Sequence, residues 1–494
     1  MNLTQPLAAP EHGLSRLRAV LWLAAAATSG LLIATSPPVA VAVALVVIAV
    51  LLLAMITPLS AVIVLAILAP IRTLIATEAP LPLPLDIGQI ALIGLLVAYI
   101  GARVARQQRL LPALLSPLQV ILLIFIVVTG LTAFQSLSLT AWLSEWLKWV
   151  QVFVLVWIIR DLGQPTAWEW IIFGLVVASL ANGVIGIYQY FGGSGALHLV
   201  VNERFFRAFG TFGQPNPFGG FMGLTLPLTA AVASGYIRLS RQQSPCCRNI
   251  TAVKGIFYSL AVPVQMTALV MSWSRGAWIG AAAAAAVCAF ALPRRLQQSL
   301  LALTCVIILV AAAWLLNLIP TSITERIASS TQEFLAFEDM RGVDITPENY
   351  AIVERLAHWQ AALRMAEHAP WLGIGFGNFD HVYTQFRLIN WPESLGHAHN
   401  YYLNLWAESG IIGLLVYCKV WIIILITTWR VRRHPDPLAR FTAVGLLGSW
   451  TYLTVHHLFD NLYVNNLFLH LGLMLGVLEV LYGQTQCDLK LDGL

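Results

Sequence analysis

The sequence predicts an all-α, polytopic membrane protein with 12 to 14 transmembrane helices and one long extracytoplasmic loop. Three observations carry this. Of 494 residues, 59% are hydrophobic and only 10% charged, against about 25% charged in an ordinary soluble domain. The apolar residues fall in blocks near or above 18, each long enough to cross a hydrocarbon layer of about 30 Å. One connection, 320–409, is far longer than the rest and holds eleven of the twenty-three acids.

The spans are expected near 18–35, 38–57, 60–76, 87–102, 117–134, 142–159, 168–191, 217–237, 255–272, 276–293, 299–318, 410–429, 441–457 and 462–482. The polar first fifteen residues and the two adjoining apolar runs read as a first hairpin of spans, not as a cleavable signal. With the N-terminus in the cytoplasm, alternate connections carry seventeen Lys and Arg (Arg16, Arg103, Arg160, Arg238, Arg294, Arg430 and Lys490 among them). The opposite short connections carry only Arg72, Arg204, Arg207 and Arg275. That asymmetry predicts a plasma (inner) membrane protein with both termini cytoplasmic. The net charge of +5 reports topology, and no nucleic-acid partner is expected. None of the six cysteines falls in an outer connection, so neither a disulfide framework nor a cysteine metal site is expected.

The chain divides into N-terminal helices (1–200), a core with the outer loop (201–430), and C-terminal helices with a short tail (431–494). Inside the loop, Thr346-Pro347-Glu348 reads as a helix start. Ile352, Leu356, Trp359, Leu363 and Ala366 then form one apolar stripe that ends before Pro370. This helix is expected to lie on the membrane domain, and Arg355, His358 and Arg364 on its polar face could also hold a phosphate or a sugar. The run Gly373-Ile374-Gly375-Phe376-Gly377-Asn378 follows no strand and is expected as a tight turn against the spans rather than a nucleotide loop.

Four polar clusters lie at the outer ends of spans. They are Arg204 to Pro217, including Arg207 and Asn216; Ser272-Trp273-Ser274-Arg275-Gly276; His397-Ala398-His399-Asn400-Tyr401-Tyr402; and His456-His457-Leu458-Phe459-Asp460-Asn461. Ionisable groups at membrane depth point to function. Arg207, Arg275 and His399 are expected at one depth on one face. Two guanidiniums suit a diphosphate, and a neutral imidazole suits taking a proton from a hydroxyl. His397 is expected to support His399, and the His456–His457–Asp460 group to pack as a polar network. His399, His456 and Asp460 show no metal-ligand spacing of a known type, so no metal or other cofactor is expected.

His399-Asn400, then Gly410 and Gly413, resembles the outer-loop signature of bacterial O-antigen ligases. Ser274-Arg275-Gly276-Ala277 is similar to that family's other hallmark. Arg207-Ala208-Phe209-Gly210 with Pro215-Asn216-Pro217 is similar to the segment before its central span. The resemblance covers about 204–417 in the family's order. It implies a metal-independent, inverting glycosyltransferase of the GT-C type, belonging to surface polysaccharide (lipopolysaccharide) biosynthesis. The donor implied is a glycan on undecaprenyl diphosphate, with a lipid or glycan acceptor and membrane lipids around both. His399 would be the base, and Arg207 and Arg275 would hold the diphosphate. Arg204, Asn216, Asn400, Tyr401, Glu408 and Asp460 would contact substrate. The superfamily also includes O-antigen polymerases and a branch labelled bicarbonate transporter. A small-anion carrier would need polar groups lining a midplane path, and the polar residues here gather at one face.

Overall fold

A computed structural model describes residues 57–73, 85–109, 114–193, 199–201, 204–316, 324, 339–346 and 349–491. The expected spans near 18–35 and 38–57 lie outside the described residues. Every later expected span has a helix: α1 (Pro58–Leu68), α2 (Ile87–Ala105), α3 (Pro117–Leu131), α4 (Leu139–Asp161), α5 (Ala167–Tyr188), α6 (Pro215–Gln242), α7 (Pro245–Met271), α8 (Arg275–Ala291) and α9 (Leu296–Leu315). The long loop contributes α10 (Tyr350–His368) and α11 (Phe379–Phe386). Then follow α12 (Tyr401–Val431), α13 (Pro437–His456) and α14 (Leu467–Leu491). Nine helices among the described residues are long and apolar enough to cross a bilayer, and α1 and α8 are shorter apolar helices. Strand is confined, among the described residues, to a two-residue pair in which Val200 faces Phe206.

Local chemistry sets the helix starts. Thr57 with Ser60 and Ser116 with Gln119 form capping boxes, each followed by proline at the first helical position. Asp86 and Asp436 accept the first free N–H groups of α2 and α13. Such bonds satisfy donors that lipid could not.

One apolar core runs through all three sequence segments. α14 packs on α4, while α6 packs on both α7 and α13. The segments 1–200, 201–430 and 431–494 are therefore interleaved in space, which brings Asn216, at the start of α6, beside the loop after α13. Among the described residues α9 packs mainly on α8 and leaves Leu300, Ile307 and Leu309 exposed, the pattern of a lipid-facing helix.

The long loop has a second core of its own, built from Leu356, Trp359, Met365, Phe379, Tyr383 and Trp391. Of the expected stripe of α10, Leu356 and Trp359 are buried in it and Ile352 packs against it, while Ala366 is buried outside it and Leu363 is half-buried. The helix begins at Tyr350 rather than at Thr346, whose backbone N–H and hydroxyl instead bond Asn349; Pro347 and Glu348 lie outside the described residues. The glycine run is the expected tight turn. Gly373, Gly375 and Gly377 all have positive φ, and a β-carbon at any of them would meet backbone or β-carbon atoms of Glu408, Ser136 or Glu145 within 3.0 Å. Asn378 completes the dock by accepting the Ser138 N–H at 2.7 Å.

Candidate functional site

The site is assembled around Asp460, in the loop between α13 and α14. Its Oδ2 accepts from Asn216 Nδ2 at 2.9 Å, and its Oδ1 accepts its neighbour Asn461 N–H at 2.8 Å. Arg207 donates through Nη2 to Asn216 Oδ1 at 3.2 Å and through Nε to the Ser272 carbonyl at 3.2 Å. His397 Nε2 and His399 Nδ1 lie 3.5 and 3.7 Å from Asp460 Oδ1. A continuous series of contacts thus links Arg207, Asn216, Asp460 and His399. Arg275 opens α8 three residues beyond Ser272, and Gly276 is pressed against the His456 ring. The four sequence clusters meet at one place.

His399 reaches it through a fold-back that the sequence pattern does not announce. α12 breaks at Gly410, where φ is 64° and ψ is −172°. Sixteen residues of straight helix would separate Tyr401 and Tyr417 by about 24 Å, yet their ring centroids are 5.3 Å apart. The first part of α12 therefore runs back alongside the second. Asn400 caps this short segment by accepting Tyr402 and Leu403 N–H. Asn404 Oδ1 accepts Ala398 N–H at 3.0 Å, and His399 itself takes φ of 51°.

The surrounding groups fix its chemistry. Burial opposes the charge on Asp460, but the hydrogen bond from His399 and the nearby histidine charges outweigh it and hold the carboxyl well below the usual carboxylate range. Burial pushes His397 down to about 4, so it is neutral at physiological pH. With an ionised Asp460 facing Nδ1, the consistent tautomer of His399 carries its proton there. Its Nε2 is buried and without a hydrogen-bond partner, leaving a free lone pair. The edge of His358 packs on His399 at 5.6 Å between centroids.

His358 corrects an expectation. It is fully buried rather than part of a ligand-binding polar face. Its Nδ1 bonds the Glu354 carbonyl at 2.6 Å, while Nε2 accepts Leu395 N–H at 3.2 Å. These bonds define a neutral, structural ring. Arg364 likewise reaches the Phe386 carbonyl. Other expected residues also lie apart from the cluster. Arg204 is exposed with its guanidinium 5.3 Å over Phe205. Tyr401 is buried among Tyr417, His457 and Tyr463. Glu408 is buried where its side chain accepts Phe379 N–H. The last two hold the fold-back and the glycine turn in place.

Lys148 stands on α4, one turn from Glu145. It pairs with Glu145 at 2.5 Å and donates to the Tyr463 carbonyl at 3.0 Å, tying α4 to the Asp460 loop. His397, His399 and Asp460 each present one ligand atom within 4.8 Å of the others, three groups that could hold a divalent cation. A polar cavity of about 380 Å³ opens beside His397, Asp460 and Gln214. An apolar groove of about 580 Å³ runs between α6, α7, α8 and α13 from Leu269 and Trp278 to Phe441.

Fold and site define a polytopic α-helical membrane protein with a buried histidine–carboxylate–arginine centre on the face that bears its long loop. A family model of O-antigen ligases matches residues 260–418, from α7 through the loop into α12, and that segment is similar to the O-antigen ligases. The matched segment contains Arg275, His399, Asn400 and the Gly410 elbow, while Arg207, Asn216 and Asp460 lie outside it. No curated protein matches the chain. The match supports an O-antigen ligase or polymerase type of activity in surface polysaccharide biosynthesis, with lipid-linked glycan substrates.

Proposed function

We propose that the chain transfers a glycan from undecaprenyl diphosphate to an acceptor hydroxyl at the outer face of the plasma membrane. The observation that carries this is the free Nε2 of His399, held by Asp460 through Nδ1 and joined through Asn216 to Arg207. His399 Nε2 takes the acceptor proton, and Asp460 steadies the imidazolium that forms. The acceptor oxygen bonds to the anomeric carbon from the face opposite the diphosphate, inverting it. The bond to the diphosphate oxygen breaks, and its electron pair leaves with the diphosphate. Arg207 and Arg275 balance the charge gathering there. No step calls on a metal ion.

The apolar groove supports the same reading, because its Leu269–Trp278 end lies beside the Ser272–Arg275 turn and its lining suits an isoprenoid chain. The Lys and Arg asymmetry supports placing the loop face outside. Ligase and polymerase differ here only in the acceptor.

His399→Ala is expected to leave the protein inserted and folded while lipid-linked glycan accumulates in cells and transferred glycan disappears. Wild-type levels of transferred glycan in that variant would remove the mechanism.

A further inference from the structure

A second cavity, of about 610 Å³, opens on the loop face where the long loop docks on the turn between α3 and α4. Its walls include Phe134 and Gln135 from the bundle, and His368, Trp371, Gln385 and Phe386 from the loop. No Asp, Glu, Lys or Arg lines it, which disfavours phosphates, cations and charged headgroups as occupants. Phe134 is 89% and Trp371 68% exposed, large aromatic faces left uncovered on rigid backbone. Phe134 sits in the short helical turn Thr132–Gln135. The Trp371 carbonyl accepts Ile412 N–H at 3.4 Å, and Gly373 N–H bonds Ala369 at 2.9 Å. Aromatic faces, two side-chain amides and an imidazole together match a ligand with apolar C–H faces and many neutral hydroxyls.

Resting on the glycan-transfer reading above, we propose that this cleft binds uncharged sugars of the donor glycan outward of the sugar that reacts. The donor is a glycan whether the acceptor is a lipid or another glycan, so the donor is the occupant. Position supports it. Ile374, in the cleft floor, donates to the Ala407 carbonyl at 3.0 Å. Ala407 lies near one end of the short helical segment that begins at Tyr401, and His399 lies just beyond the other end. Cleft and base are therefore separated by roughly the length of that segment, about 13 Å, which an oligosaccharide of a few sugars spans. Interfacial aromatics that only anchor a protein in headgroups would need neither the concave cleft nor the amides.

The test uses the full-length protein in detergent micelles and oligosaccharide freed by mild acid from the producing cell's own lipid-linked pool, read by saturation-transfer NMR. Wild type is expected to bind it, with Trp371→Ala and the exposed Gln385→Ala each weakening binding roughly tenfold. The His399→Ala protein should bind it as wild type does, which separates this cleft from the transfer chemistry. In transfer assays, Trp371→Ala should raise KM for long-chain donor and leave single-repeat donor unchanged. Absent binding by wild type, or equal binding in both cleft variants, overturns the proposal even where transfer proceeds. Equal KM changes for long and short donors would overturn it too. Retained transfer in His399→Ala would instead remove the assigned base and leave the cleft standing.

Discussion

Gly410→Ala is the sharpest test of the fold-back that carries His399. At φ of 64° and ψ of −172° the backbone occupies a region essentially reserved for glycine, so any side chain there costs about 1–3 kcal/mol. A β-carbon would also lie 2.2 Å from the Trp371 carbonyl oxygen and 2.3 Å from its carbon. Those are backbone atoms, fixed because Ile411 and Ile412 N–H bond the carbonyls of Pro370 and Trp371 at 2.8 and 3.4 Å, so no rotamer relieves the contact. Backing away by an ångström would break these bonds, each contributing about 1 kcal/mol. The expected loss is about 3–5 kcal/mol, and displacing His399 by an ångström should slow transfer about a hundredfold. Gly342→Ala is the control: its φ is 75° with nothing within 4 Å of a β-carbon, so it carries backbone strain without the clash. Thermal melting in detergent and transfer rate in membranes would report both variants. If Gly410→Ala melts and works like Gly342→Ala, the elbow does not position the base.

Asp460→Asn keeps the shape but removes the charge facing His399 Nδ1. Losing a hydrogen bond to a charged group, about 1.5–3 kcal/mol, should lower kcat roughly ten- to a hundredfold with little change in KM or melting; a rate within twofold of wild type would show that His399 does not depend on it. His358 should make the loop subdomain acid-sensitive. Burial depresses its folded pKa from 6.5 to about 4, so the stability it contributes is present above pH 6.5 and is lost as pH falls towards 4. The full window is worth about 3 kcal/mol and about 2 kcal/mol is gone by pH 5. Hydrogen exchange of α10, corrected for intrinsic rates, should show faster opening at pH 5 than at pH 7.5. The same acid response in His358→Gln would assign the effect elsewhere.

Apolar runs revealed where helices lie because lipid demands long continuous hydrophobic segments, and that demand is written locally. The glycine turn at Gly373–Gly377 was equally legible, since alternate glycines signal close backbone approach. The break in α12 was not. Leu403, Leu405 and Trp406 fall at the end of the loop, before the span expected from 410, so neither the helix from Tyr401 nor its reversal at Gly410 is expected. Only its dihedrals, set by packing against Trp371, show the reversal. His358 was misplaced for a related reason. It adjoins the apolar stripe of α10, and its burial comes from Leu395 and Tyr383, residues far along the chain whose approach no periodicity encodes. Asp460 and Asn216 were visible as polar residues at span ends. Their role as the link between arginine and histidine depends on α6 and α13 packing together.

The same packing bears on whether the chain moves a solute or modifies one. A carrier needs a polar path from the His399 cavity through the membrane. Beneath that cavity stands a column of buried rings: Tyr401 on Tyr417 at 5.3 Å, Tyr417 on Trp421 at 6.2 Å, and Trp421 on Trp450 at 5.9 Å. Phe125 and Trp149 close its flank, Trp149 lying 5.9 Å from Tyr417 and 5.2 Å from Tyr463. The Tyr417 and Tyr463 hydroxyls satisfy one another at 2.9 Å, so these two are directed at each other rather than along a channel. Opening it would mean separating close-packed aromatic surface across several helices. The lateral apolar groove, in contrast, has its Leu269–Trp278 end beside the Ser272–Arg275 turn, which suits the lipid-borne donor of the proposed reaction. A site open towards the loop face and towards lipid, but closed below, suits a substrate whose reactive group stays at the interface, and that favours group transfer over transport.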